Sequence, residues 1–166
     1  QNANMKLALA GEGDQREYLE SLCDELDIRN NVNFLGPRRD LANVLSASDS
    51  VIMPSLTEGF PRVAIEAMAS SKPIIATSVG GTPEAIIDDQ SGILVQPKDI
   101  EGMAEALVNV ATNPALANRL GISARKRTEQ HFSARKYVTR LDEMYTRLAR
   151  LSKHDSSFVQ VQGVEK

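Results

Sequence analysis

Short apolar runs alternate with longer segments of helical period along most of this 166-residue sequence. The apolar runs predict five strands, over residues 6–10, 32–35, 50–53, 73–76 and 92–95. Apolar positions three to four residues apart predict helices over residues 15–26, 61–70, 100–111, 114–130 and 134–151. Two shorter helices are also predicted, one that Asp40 caps and that reaches Leu45, and one that begins at Thr82. We therefore expect one partial domain over residues 1–151 and a mobile tail over residues 152–166, in which 158–161 is a short apolar run.

The alternation of strands and helices predicts an α/β fold with a Rossmann-like, doubly wound parallel sheet. The predicted strands are apolar throughout rather than at alternate positions, as expected for strands that are covered on both faces. In such folds ligands bind beyond the carboxyl ends of the strands. We therefore expect function in the loops at Gly11, Gly36, Ser55 and Thr77.

Composition narrows the classes of partner. Aromatic residues make up 4% of the chain, there is no Trp, and the formal charge is −3, so a nucleic-acid partner is not expected. The one cysteine, Cys23, excludes an internal disulfide and lies in an apolar helical pattern that predicts a core position. No apolar run approaches the roughly 20 residues of a membrane span, and the first residues lack signal-peptide features. We expect a cytoplasmic protein, with a peripheral place at the inner face of the membrane left open for the full-length protein.

The segment 54–69 carries the most informative chemistry. A strand ends there, Gly59 gives conformational freedom, and Pro61 stands where a helix begins. Free N–H groups at a helix start, together with the helix dipole, favour a phosphate or a sugar hydroxyl. Two carboxylates, Glu58 and Glu66, flank this helix start.

Simpler interpretations of these two glutamates stay open when spacing alone is considered. Glu66 lies four residues after Arg62, so the pair could form a surface ion pair within the helix. Glu58 precedes the helix and could do no more than interact favourably with the helix dipole.

The full string Pro54-Ser55-x2-Glu58-Gly59-Phe60-Pro61-x4-Glu66-Ala67-Met68-Ala69 resembles the signature of glycosyltransferase family four, whose members have the GT-B fold. Further motifs stand in the order of that family, namely Leu9-Ala10-Gly11-Glu12-Gly13, Val32-x-Phe34-Leu35-Gly36, Ala47-x-Asp49, Pro73-Ile74-Ile75-Ala76-Thr77, Gly80-Gly81-x-Pro83-Glu84 and Gly92-x-Leu94-Val95. The resemblance covers residues 7–151. It implies the C-terminal, donor-binding half of a GT-B enzyme.

The resemblance also implies an activity and the residues that carry it. The expected enzyme is a retaining glycosyltransferase that binds a nucleotide-diphosphate sugar and transfers the sugar to a hydroxyl of a glycan, lipid or small-molecule acceptor. By the family motif, Glu66 hydrogen-bonds the ribose hydroxyls, and Glu58 lies beside the transferred sugar as the catalytic carboxylate. The other implied donor-binding residues are Gly59, Phe60 and Pro61 near the sugar and diphosphate, Pro37 and Arg38 near the base, and Gly11 and Gly13 at the mouth of the cleft.

Some features of the resemblance have a second interpretation. Gly11 and Gly13 could equally serve a tight turn between strand and helix. The Gly80–Glu84 segment could contact the ligand, or it could only cap a helix. In the capping interpretation, Thr82 is the N-cap and Pro83 stands at the first helical position. The family binds its donor without an obligatory metal, so no cofactor and no metal site are expected.

The sequence departs from the family at its start. Members carry an earlier strand, an Arg and a Lys that hold the diphosphate, and an acceptor-binding N-terminal domain, none of which has a match here. We therefore expect a fragment, inactive alone, that lacks the first strand of the order 3-2-1-4-5-6. The sheet could then show a gap, a borrowed strand, or direct pairing of the strands at 6–10 and 50–53. A non-catalytic nucleotide-binding α/β module is the alternative function.

Overall fold

The computed structural model describes residues 5–154 and their side chains as far as Leu151. Its strands are β1 (Leu7–Ala10), β2 (Val32–Gly36), β3 (Val51–Met53), β4 (Ile74–Thr77) and β5 (Ile93–Val95). Its α-helices are α1 (Arg16–Glu25), α2 (Leu41–Ala47), α3 (Arg62–Ala69), α4 (Thr82–Ala85), α5 (Ile100–Thr112), α6 (Pro114–His131) and α7 (Ala134–His154). The predicted alternation of strands and helices is confirmed.

All strand pairs are parallel, and they form a two-stranded sheet, β1-β2, and a three-stranded sheet, β3-β4-β5. The strand β4 lies in the middle of the larger sheet, and all four of its residues are buried. Side chains alternate between the faces of a strand. Ile74 and Ala76 accordingly join a core cluster with α3 and α6, whereas Ile75 joins a second cluster with α5. Helices therefore cover both faces of this sheet, as the predicted doubly wound fold requires.

The packing of α6 against the end of α3 is unusually close at Gly121. A Cβ atom on Gly121 would lie 2.3 Å from the carbonyl oxygen of Ser71, so only glycine fits there without a shift. This contact fixes α6 beside the turn that leads from α3 into β4, and it anchors the helix that reaches back toward the predicted site.

The unit formed by β1, α1 and β2 is built differently. Cys23 and Val32 are buried in it, as the predicted core role of the cysteine requires. Two guanidinium groups lie over the ring of Phe34, that of Arg16 at 5.3 Å and that of Arg29 at 5.2 Å from its centroid. Several apolar side chains nevertheless stay in solvent, among them Leu26, which is 57% exposed.

The two sheets stay apart in the part of the chain that the structure describes. No ladder pairs β1 with β3 there, and no sixth strand joins them. Of the three arrangements expected, direct pairing is therefore wrong, whereas a gap and a strand borrowed from another chain stay predictions. The predicted run at 158–161 lies outside the described residues.

Many boundaries differ from the predictions by one to three residues, and two of these differences have a clear cause. The helix α3 begins at Arg62, one residue after the predicted start, because Pro61 keeps a non-helical ψ of 78°. The helix α7 continues to His154 rather than stopping at Leu151, since residues 152–154 contain no glycine or proline to end it. The remainder of the predicted tail, from residue 155 onward, is not part of the described structure.

Candidate functional site

Two loops meet at the carboxyl edge of the larger sheet. One follows β3 and contains Glu58, and the other follows β4 and contains Gly80 and Gly81. Because β3 and β4 are parallel neighbours, their loops emerge side by side. The amide of Gly81 donates a hydrogen bond to the carbonyl oxygen of Glu58 at 3.3 Å. The loop predicted to carry the chemistry is therefore held by the second loop.

Two glycines make this loop contact possible. A Cβ atom on Gly80 would lie 1.7 Å from the carbonyl oxygen of Glu58, and one on Gly81 would lie 2.3 Å from that of Gly59. Gly80 also has a φ of +49°, which disfavours other residues. The glycine pair thus serves a close approach of backbones.

The capping interpretation of Thr82 is wrong. The N-cap of α4 is Gly81, Thr82 is the first helical residue, and Pro83 follows it. The side chain of Thr82 is fully buried, and its hydroxyl has no hydrogen-bond partner within the described structure. Local rules place a threonine before a helix, but the packing of Gly81 against Gly59 makes the glycine the last residue outside it.

The carboxylate of Glu58 is held by side chains at the ends of both strands. The hydroxyl of Ser55 donates to Oε1 of Glu58 at 2.8 Å, and the hydroxyl of Thr77 donates to the carbonyl oxygen of Ser55 at 2.5 Å. Neither hydroxyl had a predicted role. The sequence feature that could have indicated them is a hydroxyl residue at or just beyond the end of each of two adjacent strands.

The start of α3 offers fewer free amides than the sequence suggested. Pro61 is buried, and the amide of Arg62 already donates to the carbonyl oxygen of Phe60 at 2.9 Å. The amides of Val63 and Ala64 donate to no other residue of the described chain. These two groups are the ones left for an anion at this helix start.

Glu66 lies in the second turn of α3 and is exposed. The interpretation of Glu66 as the ion-pair partner of Arg62 is wrong, because their charged groups do not come within 4.0 Å of each other. Within the described part of the chain its carboxylate has no partner at all. Both carboxylate oxygens are therefore available to donors from solvent or from a ligand.

Phe60 connects the loop to the end of α6. The ring is 50% exposed, and its centroid lies 5.9 Å from that of Phe132 with the ring planes tilted by 59°. Such a tilted arrangement is favourable for aromatic pairs. The loop is thus restrained at its backbone by glycines and at its aromatic side chain by a phenylalanine.

The remaining predicted residues form a second group, at the ends of β1 and β2. The amide of Gly11 donates to the carbonyl oxygen of Gly36 at 2.9 Å, and Gly11 has a φ of +144°. Gly13 and Pro37 are exposed. This arrangement supports the tight-turn interpretation of Gly11, and it leaves contact with a ligand untested.

Arg38, predicted to border the base, is engaged with Asp40. Its Nε and one terminal nitrogen donate to the two carboxylate oxygens of Asp40 at 2.8 and 2.7 Å. The hydrogen-bonded Arg38 guanidinium lowers the pKa of the Asp40 carboxyl below its ordinary value of 3.8. Asp40 is the N-cap of α2 as predicted, but its side chain makes no capping hydrogen bond and binds this arginine instead.

The structure therefore assembles the predicted residues in two groups. Glu58, Gly59, Phe60, Pro61 and Glu66 lie on one loop and helix, and Gly11, Gly13, Pro37 and Arg38 lie at the ends of the smaller sheet. No hydrogen bond or ion pair between described residues joins the groups. Among the side chains that the structure describes, as far as Leu151, there is no cluster of three or more His, Cys, Asp or Glu suited to a metal ion. No described helix could cross a membrane.

Parallel strands, helices on both faces and a glutamate-bearing loop at the carboxyl edge define a Rossmann-like α/β domain. A profile of the family "Glycosyl transferases group 1" matches residues 1–127. The chain belongs to this family.

Similar proteins agree with this assignment. An uncharacterized glycosyltransferase of Methanocaldococcus jannaschii is 37% identical over 132 residues, which are 78% of this chain and 34% of that protein. The sucrose-phosphate synthase of Thermosynechococcus elongatus has a TM-score of 0.79 at 32% identity, over 87% of this chain and 38% of that chain. Anabaena HepE in complex with UDP-glucose has a TM-score of 0.80 at 26% identity, over 85% and 40% respectively. The fold is that of GT-B glycosyltransferases, and the chain spans about a third of the length of the curated relatives it matches.

Proposed function

We propose that this chain binds a nucleotide-diphosphate sugar and that, with an acceptor-binding domain, it transfers the sugar to a hydroxyl with retention of anomeric configuration. The observation that carries the proposal is the pairing of a fixed carboxylate, Glu58, with a free one, Glu66, on one loop and helix. The UDP-glucose bound by the Anabaena relative supports a donor of this kind.

Glu66 is the proposed ribose ligand. A carboxylate can accept hydrogen bonds at both oxygens, and ribose offers two adjacent hydroxyls as donors. Because Glu66 is exposed and makes no ion pair, no protein contact has to break before a nucleotide binds.

Glu58 is the proposed catalytic residue. Sugar transfer develops positive charge at the anomeric carbon, and a fixed carboxylate beside that carbon stabilises the charge without reorganisation. The hydrogen bond from Ser55 fixes one oxygen of Glu58, while the other remains available. Gly59 and Phe60 then bring backbone close to the sugar hydroxyls.

The diphosphate is assigned to the start of α3 and to cations outside this chain. The free amides of Val63 and Ala64 together with the helix dipole attract an anion. We propose no obligatory metal. Since the chain spans about a third of its relatives, we propose that transfer requires the longer protein and that this chain alone transfers no sugar.

Titration of the 166-residue chain with UDP, UDP-glucose and other nucleotide sugars tests donor binding. Loss of a charge-assisted hydrogen bond in Glu66→Ala should weaken donor affinity by about 1.5–3 kcal/mol. Glu105→Ala is the matched control, because Glu105 is an exposed glutamate on α5, which packs on the other face of the sheet. Equal affinity of wild type and Glu66→Ala for the bound nucleotide would remove Glu66 from the site.

Kinetics of the full-length gene product test catalysis. Glu58→Gln keeps the shape of the side chain and removes its charge, so turnover should fall more than donor affinity. Wild-type turnover in this variant would contradict the catalytic role. Donor binding without transfer to any acceptor in a broad panel would favour the alternative, a non-catalytic nucleotide-binding module.

A further inference from the structure

A single side chain on α6, Arg127, contacts two different supports of the candidate loop. Its Nε donates to the carbonyl oxygen of Ala85 at 2.7 Å, and a terminal nitrogen donates to that of Glu84 at 2.7 Å. The same guanidinium lies over the ring of Phe132, 5.6 Å from its centroid. A planar guanidinium can donate to two carbonyls along its edge while its face lies over a ring, a geometry that a lysine ammonium does not reproduce.

The first support runs through α4. Arg127 binds the carbonyls at the end of this one-turn helix, and Gly80 and Gly81 immediately precede it. Those glycines lie against the backbone of Glu58 and Gly59 so closely that a methyl group would not fit. A shift of α4 therefore moves the loop backbone.

The second support runs through aromatic rings. Arg127 covers Phe132, and Phe132 contacts Phe60 with ring centroids 5.9 Å apart. Phe132 is also packed against the core cluster that contains residues of α3 and β4. The ring of Phe60 therefore packs on a phenylalanine that Arg127 also contacts.

We propose that Arg127 is a positioning residue for the loop of residues 58–60, acting through α4 on its backbone and through Phe132 on Phe60. The effect of Arg127 on sugar transfer rests on the proposed function, but its effect on the loop does not. The structural part stands by itself, because both supports end on the loop whether or not a donor binds. Arg127 lies far from Glu58 in sequence and belongs to none of the motifs of the loop.

The structural part can be tested on the 166-residue chain by ¹⁵N-glycine NMR, since ten glycines give a simple spectrum. Arg127→Ala should shift or broaden the signals of Gly59, Gly80 and Gly81. Phe132→Leu, which keeps apolar bulk, should affect Gly59 more than Gly81.

Arg125→Ala is the matched control. Arg125 also lies on α6 and donates to a backbone carbonyl, but that carbonyl belongs to Ala69 at the far end of α3. This variant should move the signal of Gly121 and leave that of Gly59 unchanged. Unchanged Gly59 and Gly81 signals in a folded Arg127→Ala chain would overturn the proposal, as would equal effects of the two arginine variants on Gly59.

Two further measurements connect the loop to function and separate the two proposals. With UDP-glucose as the probe, wild-type glycine signals that do not respond would count against donor binding, while the ligand-free comparison would still test Arg127.

In the full-length gene product, Arg127→Ala should lower turnover by about tenfold or more, because misplacement of a reacting group is costly. Arg127→Lys should recover only part of that turnover. Wild-type turnover in folded Arg127→Ala would show that its contacts are structural alone.

Discussion

The larger sheet of β3, β4 and β5 has only buried or half-buried residues and packs against buried faces of its helices, whereas the unit of β1, α1 and β2 leaves many of its apolar side chains exposed. In the first region Met68 and Ile75 are fully buried. In the second, Leu7 is 39% exposed on a strand and Leu26 is 57% exposed at the end of a helix. The difference shows what a parallel strand needs, which is cover on both faces. Stability should therefore reside mainly in the larger sheet.

The largest expected effect comes from core truncation. Met68→Ala should lower the free energy of unfolding by about 2–5 kcal/mol, because it leaves a cavity between α3 and the sheet. Leu26→Ala removes a side chain of similar size from the other region and should change stability by about 0.5 kcal/mol or less. Urea unfolding monitored by circular dichroism measures both. Equal losses would mean that the smaller unit contributes as much as the larger sheet.

A second comparison uses two glycines with positive φ, Gly80 at +49° and Gly36 at +65°. Gly36→Ala meets no atom within 4 Å and should cost only backbone strain, roughly 1–2 kcal/mol. Gly80→Ala adds an overlap with the carbonyl oxygen of Glu58, so it should cost about 1–3 kcal/mol more and weaken donor binding. Paired unfolding and UDP-glucose titrations would check this. Similar behaviour of the two variants would contradict the loop contact.

The smallest effect concerns pH and the exposed pair of Arg38 and Asp40. Because Arg38 lowers the pKa of Asp40 in the folded chain, the pair stabilises the fold above the ordinary carboxyl pKa of 3.8, and this contribution disappears as the pH falls through the lowered value. An NMR titration of the Asp40 carboxyl carbon should show its pKa rising toward 3.8 in Arg38→Ala. Added salt should reduce the difference, as for other exposed pairs. An unchanged pKa in Arg38→Ala would show that the arginine is not the cause.

The fold could be predicted because its signals are local. Apolar runs and helical periods indicated every strand and helix, with errors of a few residues at the ends. The sequence also identified the segment with Glu58 and Glu66 through a long ordered motif. These features depend on neighbours within one element or one loop.

Contacts between distant segments could not be predicted in the same way. Thr82 follows a local capping rule, yet the approach of Gly81 to Gly59 made the glycine the N-cap. The hydrogen bond from Arg127 to the carbonyl oxygen of Ala85 in α4 joins residues 42 positions apart, and no local sequence pattern indicates it. Likewise, the separation of the two sheets depends on strand pairing and not on any single strand.

The contact of Gly80 and Gly81 with the loop also bears on how such a site can change over evolution. Backbone packed this closely leaves no room for a side chain at Gly80 or Gly81. Leu56 and Thr57, in the same loop, are exposed to solvent, and Leu56 is 62% exposed. The loop thus combines a backbone that the two glycines restrain with exposed side chains that can vary. Substitutions at Leu56 and Thr57 can therefore accumulate without displacing the backbone of Glu58.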